Sequence, residues 1–196
     1  MTSQKGRKLK LERIRIAIVK FGGLSAGGTE KFLHNIALNL DPKRFDVTFF
    51  YSDNAPYLGS TMQHPDTDEF RLQLLKQAKI KMCKFEVKAK DLRSPTHKWI
   101  GSNFFSIFNE SDFDIIQTGR AGHPEYPFTR IRKTAIVDSI HLDSGVHNQG
   151  NITHVLHLSK WSRDRWIAKG GDPTKVRVIS HPIEQEVRTR ENFRSE

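Results

Sequence analysis

A chain of 196 residues, 36% hydrophobic and 28% charged, has the balance of a soluble globular protein and the length for one good core. No apolar run approaches the ~20 residues that cross a bilayer, the opening MTSQKGRKLKLER lacks the apolar middle of a secretory signal, and the lone Cys83 cannot form an internal disulfide. A cytoplasmic protein is therefore expected, and its net charge of +10 needs an anionic partner or a basic solvated surface.

Residues 1–12 read as a basic tail, and 13–182 as one α/β domain. Within it Ile14, Ile16, Ala17, Ile18 and Val19 form a strand-like run, and Phe32, Leu33, Ile36, Ala37 and Leu40 recur at helical spacing. Between them lies FGGLSAGGTE, a glycine-rich turn that would aim backbone N–H groups from a helix start at phosphate or sugar oxygens. Gly22-x-x-x-x-Gly27 is followed by glycine where a nucleotide-hydrolase phosphate loop needs lysine, so simple ATPase or GTPase chemistry does not fit. Glycines at 22, 23, 27 and 28 also miss the G-x-G-x-x-G spacing of dinucleotide enzymes.

Asp41-Pro42 stops the helix, and Phe45, Val47, Phe49, Phe50 and Tyr51 make a second strand. A helix around Phe70 to Ala78 and a strand around Lys81 to Val87 are expected next, with Cys83 a buried, inert thiol. Ser94-Pro95 predicts a helix start leading through Trp99, Ile100, Phe104, Phe105 and Phe108, an aromatic stripe assigned to the core. Phe113 to Gln117, Thr134 to Ile140 and His154 to Leu158 read as buried parallel strands. A helix from about Lys160 to Lys169, capped by Ser159 and closed by Gly170-Gly171, precedes the strand Lys175 to Ile179. Residues 183–196 are mostly polar and read as a linker or the start of a further domain.

The fold class expected is a Rossmann-like open, mostly parallel sheet with helices on both faces. Ligands of such sheets bind beyond the carboxyl ends of the strands, so the glycine loop, Thr118-Gly119-Arg120, His141 and Ser159 should share one rim. His147, His154, His157 and Asp143 make no convincing metal set. Basic residues concentrate at the start of the chain (Lys5, Arg7, Lys8, Lys10, Arg13, Arg15) and in residues 76–98, which suits an anionic membrane surface. Nucleic acid is the weaker partner, since no zinc-ligand spacing, helix-turn-helix pattern or aromatic RNA-binding signature accompanies the charge.

Two blocks, IAIVKFGGLSAGGTEKFLHNIALNLDPKRFDVTFFYSD and HVLHLSKWSRDRWIAKGGDPTKVRVISHPIE, resemble the opening and later segments of the first domain of family 4 retaining glycosyltransferases of the two-domain GT-B fold. The resemblance implies transfer of a sugar from a nucleotide diphosphate sugar, as co-substrate, to a glycan, lipid-linked or small-molecule acceptor with retention and without cofactor or metal. It implies that this half is the acceptor side and is inactive without a donor domain. Carried over by position, Gly22, Gly23, Gly27 and Gly28 would make backbone contacts, Glu30 would open the first helix, and His141 would meet the transferred sugar as the catalytic candidate. Ser159 matches the family serine after its strand, whereas His181-Pro182 stands where many members have asparagine before the hinge. Arg120 and Arg163 are rim cations suited to a phosphate or an anionic acceptor. The alternatives are a non-catalytic sugar-phosphate or nucleotide-sugar binding module and a basic membrane-docking subunit of a split enzyme.

Overall fold

The computed structural model describes residues 12–20, 27–52, 57–58, 68–91, 98–119, 128–141, 146 and 150–180. The main sheet is built from β1 (Ile14–Lys20), β2 (Phe45–Ser52), β4 (Lys81–Phe85), β7 (Ile115–Thr118), β8 (Ala135–Ile140), β9 (His154–His157) and β10 (Val176–Val178). A smaller three-stranded sheet holds β3 (Tyr57–Leu58), β5 (Val87–Asp91) and β6 (Lys98–Ser102). The helices are α1 (Gly28–Asn39), α2 (Glu69–Gln77), the single turn α3 (Phe104–Ile107) and α4 (Lys160–Ala168).

All seven strands of the main sheet run parallel, in the order β10-β9-β8-β7-β1-β2-β4. Alternation along β1 explains the two layers around it. Ile16 and Ile18 join Phe32 and Leu33 of α1 and Leu72 and Leu75 of α2 on one face. Ala17 and Val19 join Phe104 and Phe108 around α3 and Trp166 of α4 on the other. This is a Rossmann-like α/β fold with helices on both faces.

The expected first helix ends where predicted: after Leu40, the amides of Arg44 and Phe45 turn back onto the Asp41 carbonyl at 3.0 and 2.9 Å. Ser159 caps α4 by accepting from the Ser162 amide at 3.1 Å. At the helix's other end Gly171 lies flat against the indole of Trp166, where an added Cβ would come within 2.1 Å of the ring.

Two expected elements differ. The helix expected from Ser94-Pro95 is instead, at Trp99 and Ile100, the strand β6, antiparallel to β5 with Trp99 opposite Lys90 and Ile100 opposite Ala89. Gly101 has φ 66°, a left-handed conformation that a right-handed helix cannot contain, so helix begins only at Phe104. The strand read as Lys81 to Val87 likewise divides, β4 ending at Phe85 and β5 starting at Val87, in the other sheet. Of the aromatic stripe, Phe104 and Phe108 are core as expected: their rings stack with centres 4.7 Å apart, and both meet Phe50 edge to face. Cys83 is half-buried against this cluster.

Candidate functional site

Strand order sets the site. From β1 the chain builds outward through β2 and β4, then returns to the other side of β1 as β7 and continues to β10. The order reverses between β1 and β7, and a crevice outside the carboxyl ends of strands at such a point is where open α/β sheets bind ligands. Those ends are Lys20 on β1 and Thr118-Gly119 after β7.

The start of α1 stands over the same point. Gly27 occupies the N-cap in extended conformation and, lacking a side chain, leaves the helix without a side-chain cap. Gly28 opens the first turn, exposed, with no atom within 4 Å of where a Cβ would sit. Gly119, by contrast, is pressed against Thr29, whose Cγ2 would lie 2.3 Å from an added Cβ. The bare glycine at the tip of β7 thus lets helix start and strand end meet. Glu30 is nearly buried and accepts an ion pair from Lys20 Nζ at 3.0 Å, tying the end of β1 to the first turn of α1.

Beneath the rim Gln117 donates to the Ser139 hydroxyl at 2.8 Å and to the Thr118 carbonyl at 3.0 Å, which locks β7 to β8. His141 follows β8, half-buried, and the Phe32 ring of α1 meets it edge to face with centres 5.0 Å apart. An imidazole held this way beside a helix start can exchange a hydrogen bond with an oxygen-rich ligand. Ile140 pairs with His157, so the strand tips that carry His141 and Ser159 emerge side by side.

The structure therefore gathers Gly27, Gly28, Glu30 and His141 around the reversal point. Ser159 lies on the same rim, but its hydroxyl is engaged in capping α4. Arg163, one turn into α4, is bonded to its neighbour Asp164 at 2.8 and 2.7 Å. Gly22, Gly23 and Arg120 lie outside the described residues, as do Asp143, His147 and His181-Pro182. Lys20, Gln117 and Ser139 belong to the site without having been singled out in the sequence. Their signal was present: Lys20 is the last strand residue before the glycines, and Gln117 and Ser139 are polar interruptions of apolar runs.

His157, at the end of β9, is buried against Trp166, and its Nδ1 lies 2.8 Å from the Ser162 hydroxyl. Burial lowers its pKa, because desolvation disfavours the charged ring. A cavity of about 640 Å³ opens under α1, lined mainly by apolar side chains such as Ile16, Phe32, Ile36 and Leu156, with Gln117 beside them. It runs along the face of the sheet from Leu40 at the end of α1 to Gln117 at the rim and to Ile179 and Ser180 beyond β10. Among the described residues no group of three or more His, Cys, Asp or Glu side chains is placed to hold a metal, and no helix is long and apolar enough to cross a membrane.

The chain matches no protein-family description and no curated protein sequence. Solved structures share its fold. Anabaena HepE in complex with UDP and glucose aligns with a TM-score of 0.51 at 18% identity, over 87% of this chain and 45% of HepE. HepE in complex with UDP aligns at 0.50 and 16% identity, over 87% of this chain and 44% of HepE. The apo lipopolysaccharide outer core galactosyltransferase WaaB gives 0.49 and 14% identity, over 87% of this chain and 46% of WaaB. The chain thus spans less than half the length of each of these proteins, and its likeness to HepE is one of fold.

Proposed function

We propose that this chain is the acceptor-side half of a glycosyltransferase that moves a sugar from a nucleotide diphosphate sugar to a glycan, lipid or small-molecule acceptor. The observation that carries the reading is the junction of an open helix start at Gly28 with His141 at the point where strand order reverses. A fold shared with a protein crystallised with UDP and glucose supports it. In this reading the amides at the start of α1 donate to sugar or diphosphate oxygens. The Lys20–Glu30 pair fixes the entry to the glycine loop, and His141 hydrogen-bonds a sugar hydroxyl or the departing phosphate. Retention of configuration, a hinge near residue 182 leading to a donor domain, and a cytoplasmic setting complete the proposal and rest on the family resemblance. No cofactor is required beyond the nucleotide sugar.

The test is to titrate UDP-glucose into the isotope-labelled chain and follow backbone amide shifts. Changes at Gly27, Gly28, Gly119 and His141 are expected; changes confined to the opposite edge of the sheet, or none at millimolar ligand, overturn the reading. The isolated chain should transfer no sugar, and strong donor-dependent turnover would refute its assignment as half of an enzyme.

A further inference from the structure

The strands on the β7 side of β1 are covered unequally on their two faces. Helices α1 and α2 follow β1 and β2 and pack on one face, whereas α3 and α4 lie on the other, where Ile116, Ile136 and Val155 are fully buried. The alternate residues of those same strands, Ile115, Val137 and Leu156, instead form the floor of the groove of about 640 Å³ beside α1. Ile115 and Val137 are only half-buried there, as are Ile36 and Leu40 in the wall that α1 supplies. A parallel sheet is ordinarily buried on both faces, so an apolar floor left this open calls for an occupant.

Shape and lining select an alkyl chain. The groove follows α1 from Phe32 to Leu40, a length of about 12 Å at the helical rise, which is the reach of an octyl chain. Its volume lies in the range of small-ligand pockets, and among the described residues no charged side chain lines it. Polar groups stand only at its borders. Asn35 and Asn39 lie on the α1 flank, where the Asn39 amide donates to the Asn35 carbonyl at 2.9 Å, and Gln117 lies at the rim. The groove is also continuous with the candidate site: Phe32 lines it and meets the His141 ring, and Gln117 lines it while bonded to Ser139. A ligand whose head lies between Gly28 and His141 therefore finds an apolar channel one side chain away. A free glycan in that channel would leave its hydroxyls against apolar walls without hydrogen-bond partners, which is costly.

We propose that the acceptor is lipid-linked, with its sugar head at the rim and its alkyl chain in the groove beside α1. This names the acceptor class of the site described above and rests on the glycosyltransferase reading. The test titrates the full isotope-labelled chain with methyl and octyl β-glucoside, the octyl compound kept below its micelle concentration. Octyl glucoside should bind at least about a hundredfold more tightly, a factor that burial of half its additional methylenes supplies. It should shift the amides of Ile36, Leu40, Val137 and Leu156. Ile36→Gln with Val137→Thr should weaken octyl glucoside at least about tenfold and leave methyl glucoside unchanged. The control Phe70→Gln, at an exposed aromatic of α2, should keep the chain-length preference, with circular dichroism confirming that both variants fold. Equal affinity for the two glucosides, shifts outside the groove, equal loss in the two variants, or self-association through this face that octyl glucoside does not dissociate would overturn the proposal. UDP-glucose shifts at Gly28 and His141 separate the two readings: their presence without groove binding overturns this proposal alone, and groove binding without them overturns the acceptor assignment together with the enzyme.

Discussion

Lys20 Nζ and Glu30 Oε1 lie 3.0 Å apart, with only 12% and 10% of their side chains exposed, one closing the first strand and the other in the first turn of the helix that follows. The pair brackets the glycine loop from both sides. A nearly buried ion pair is costly to break, because removing one partner leaves a desolvated charge, although replacing both can be nearly neutral. Glu30→Gln should therefore destabilise the chain by about 3 kcal/mol in urea unfolding, and Lys20→Met with Glu30→Leu should recover most of the loss. A double variant no more stable than the single one would show that the pair is not the source of the effect.

Three glycines separate folding from binding. Gly28→Ala enters open space in a helical turn, so stability should hold or rise by up to about 1 kcal/mol, while UDP-glucose binding weakens if the ligand approaches the α1 amides. Gly171→Ala drives a methyl into the Trp166 indole and should cost about 1–3 kcal/mol or more. Gly119→Ala meets the end of the Thr29 side chain, and should perturb stability and binding together. Thermal unfolding and ligand titration of the three variants read both effects.

His34 sets an acid limit on stability. It is buried on α1 against Phe49, neither ring nitrogen has a hydrogen-bond partner among the described residues, and burial, aided by Arg71, lowers its pKa to about 4. The unfolded chain takes up this proton near pH 6.5 and the folded chain does not, so stability is full above that value and falls as pH drops toward 4. The loss amounts to about 3 kcal/mol, and His34→Leu should remove most of the slope between those values. His157, lowered in the same direction, leaves a remainder. An unchanged slope in denaturant titrations of the variant would contradict the assignment.

Ser159 is tested as a cap. Ser159→Ala removes the oxygen that accepts from the Ser162 amide and should cost about 1 kcal/mol, whereas Ser159→Asp should retain most of the stability. A ligand role for Ser159 would appear as weaker UDP-glucose binding in the aspartate variant despite intact stability.

Local chemistry made much of this protein legible from its residues in order. Strand and helix alternate because period-2 and 3.6-residue apolar patterns are written locally, and caps such as Ser159 and stops such as Asp41-Pro42 act on their own neighbours. The error at Trp99 and Ile100 arose where local cues competed: a serine-proline start favoured helix, whereas the left-handed Gly101 and pairing with β5 imposed a strand. Only the tertiary structure decided that β7 returns beside β1. With that pairing Gly119 touches Thr29 and Phe32 meets His141. Such contacts join residues far apart in the chain through strand order, which depends on how whole apolar faces bury together, and no short window of sequence contains that information.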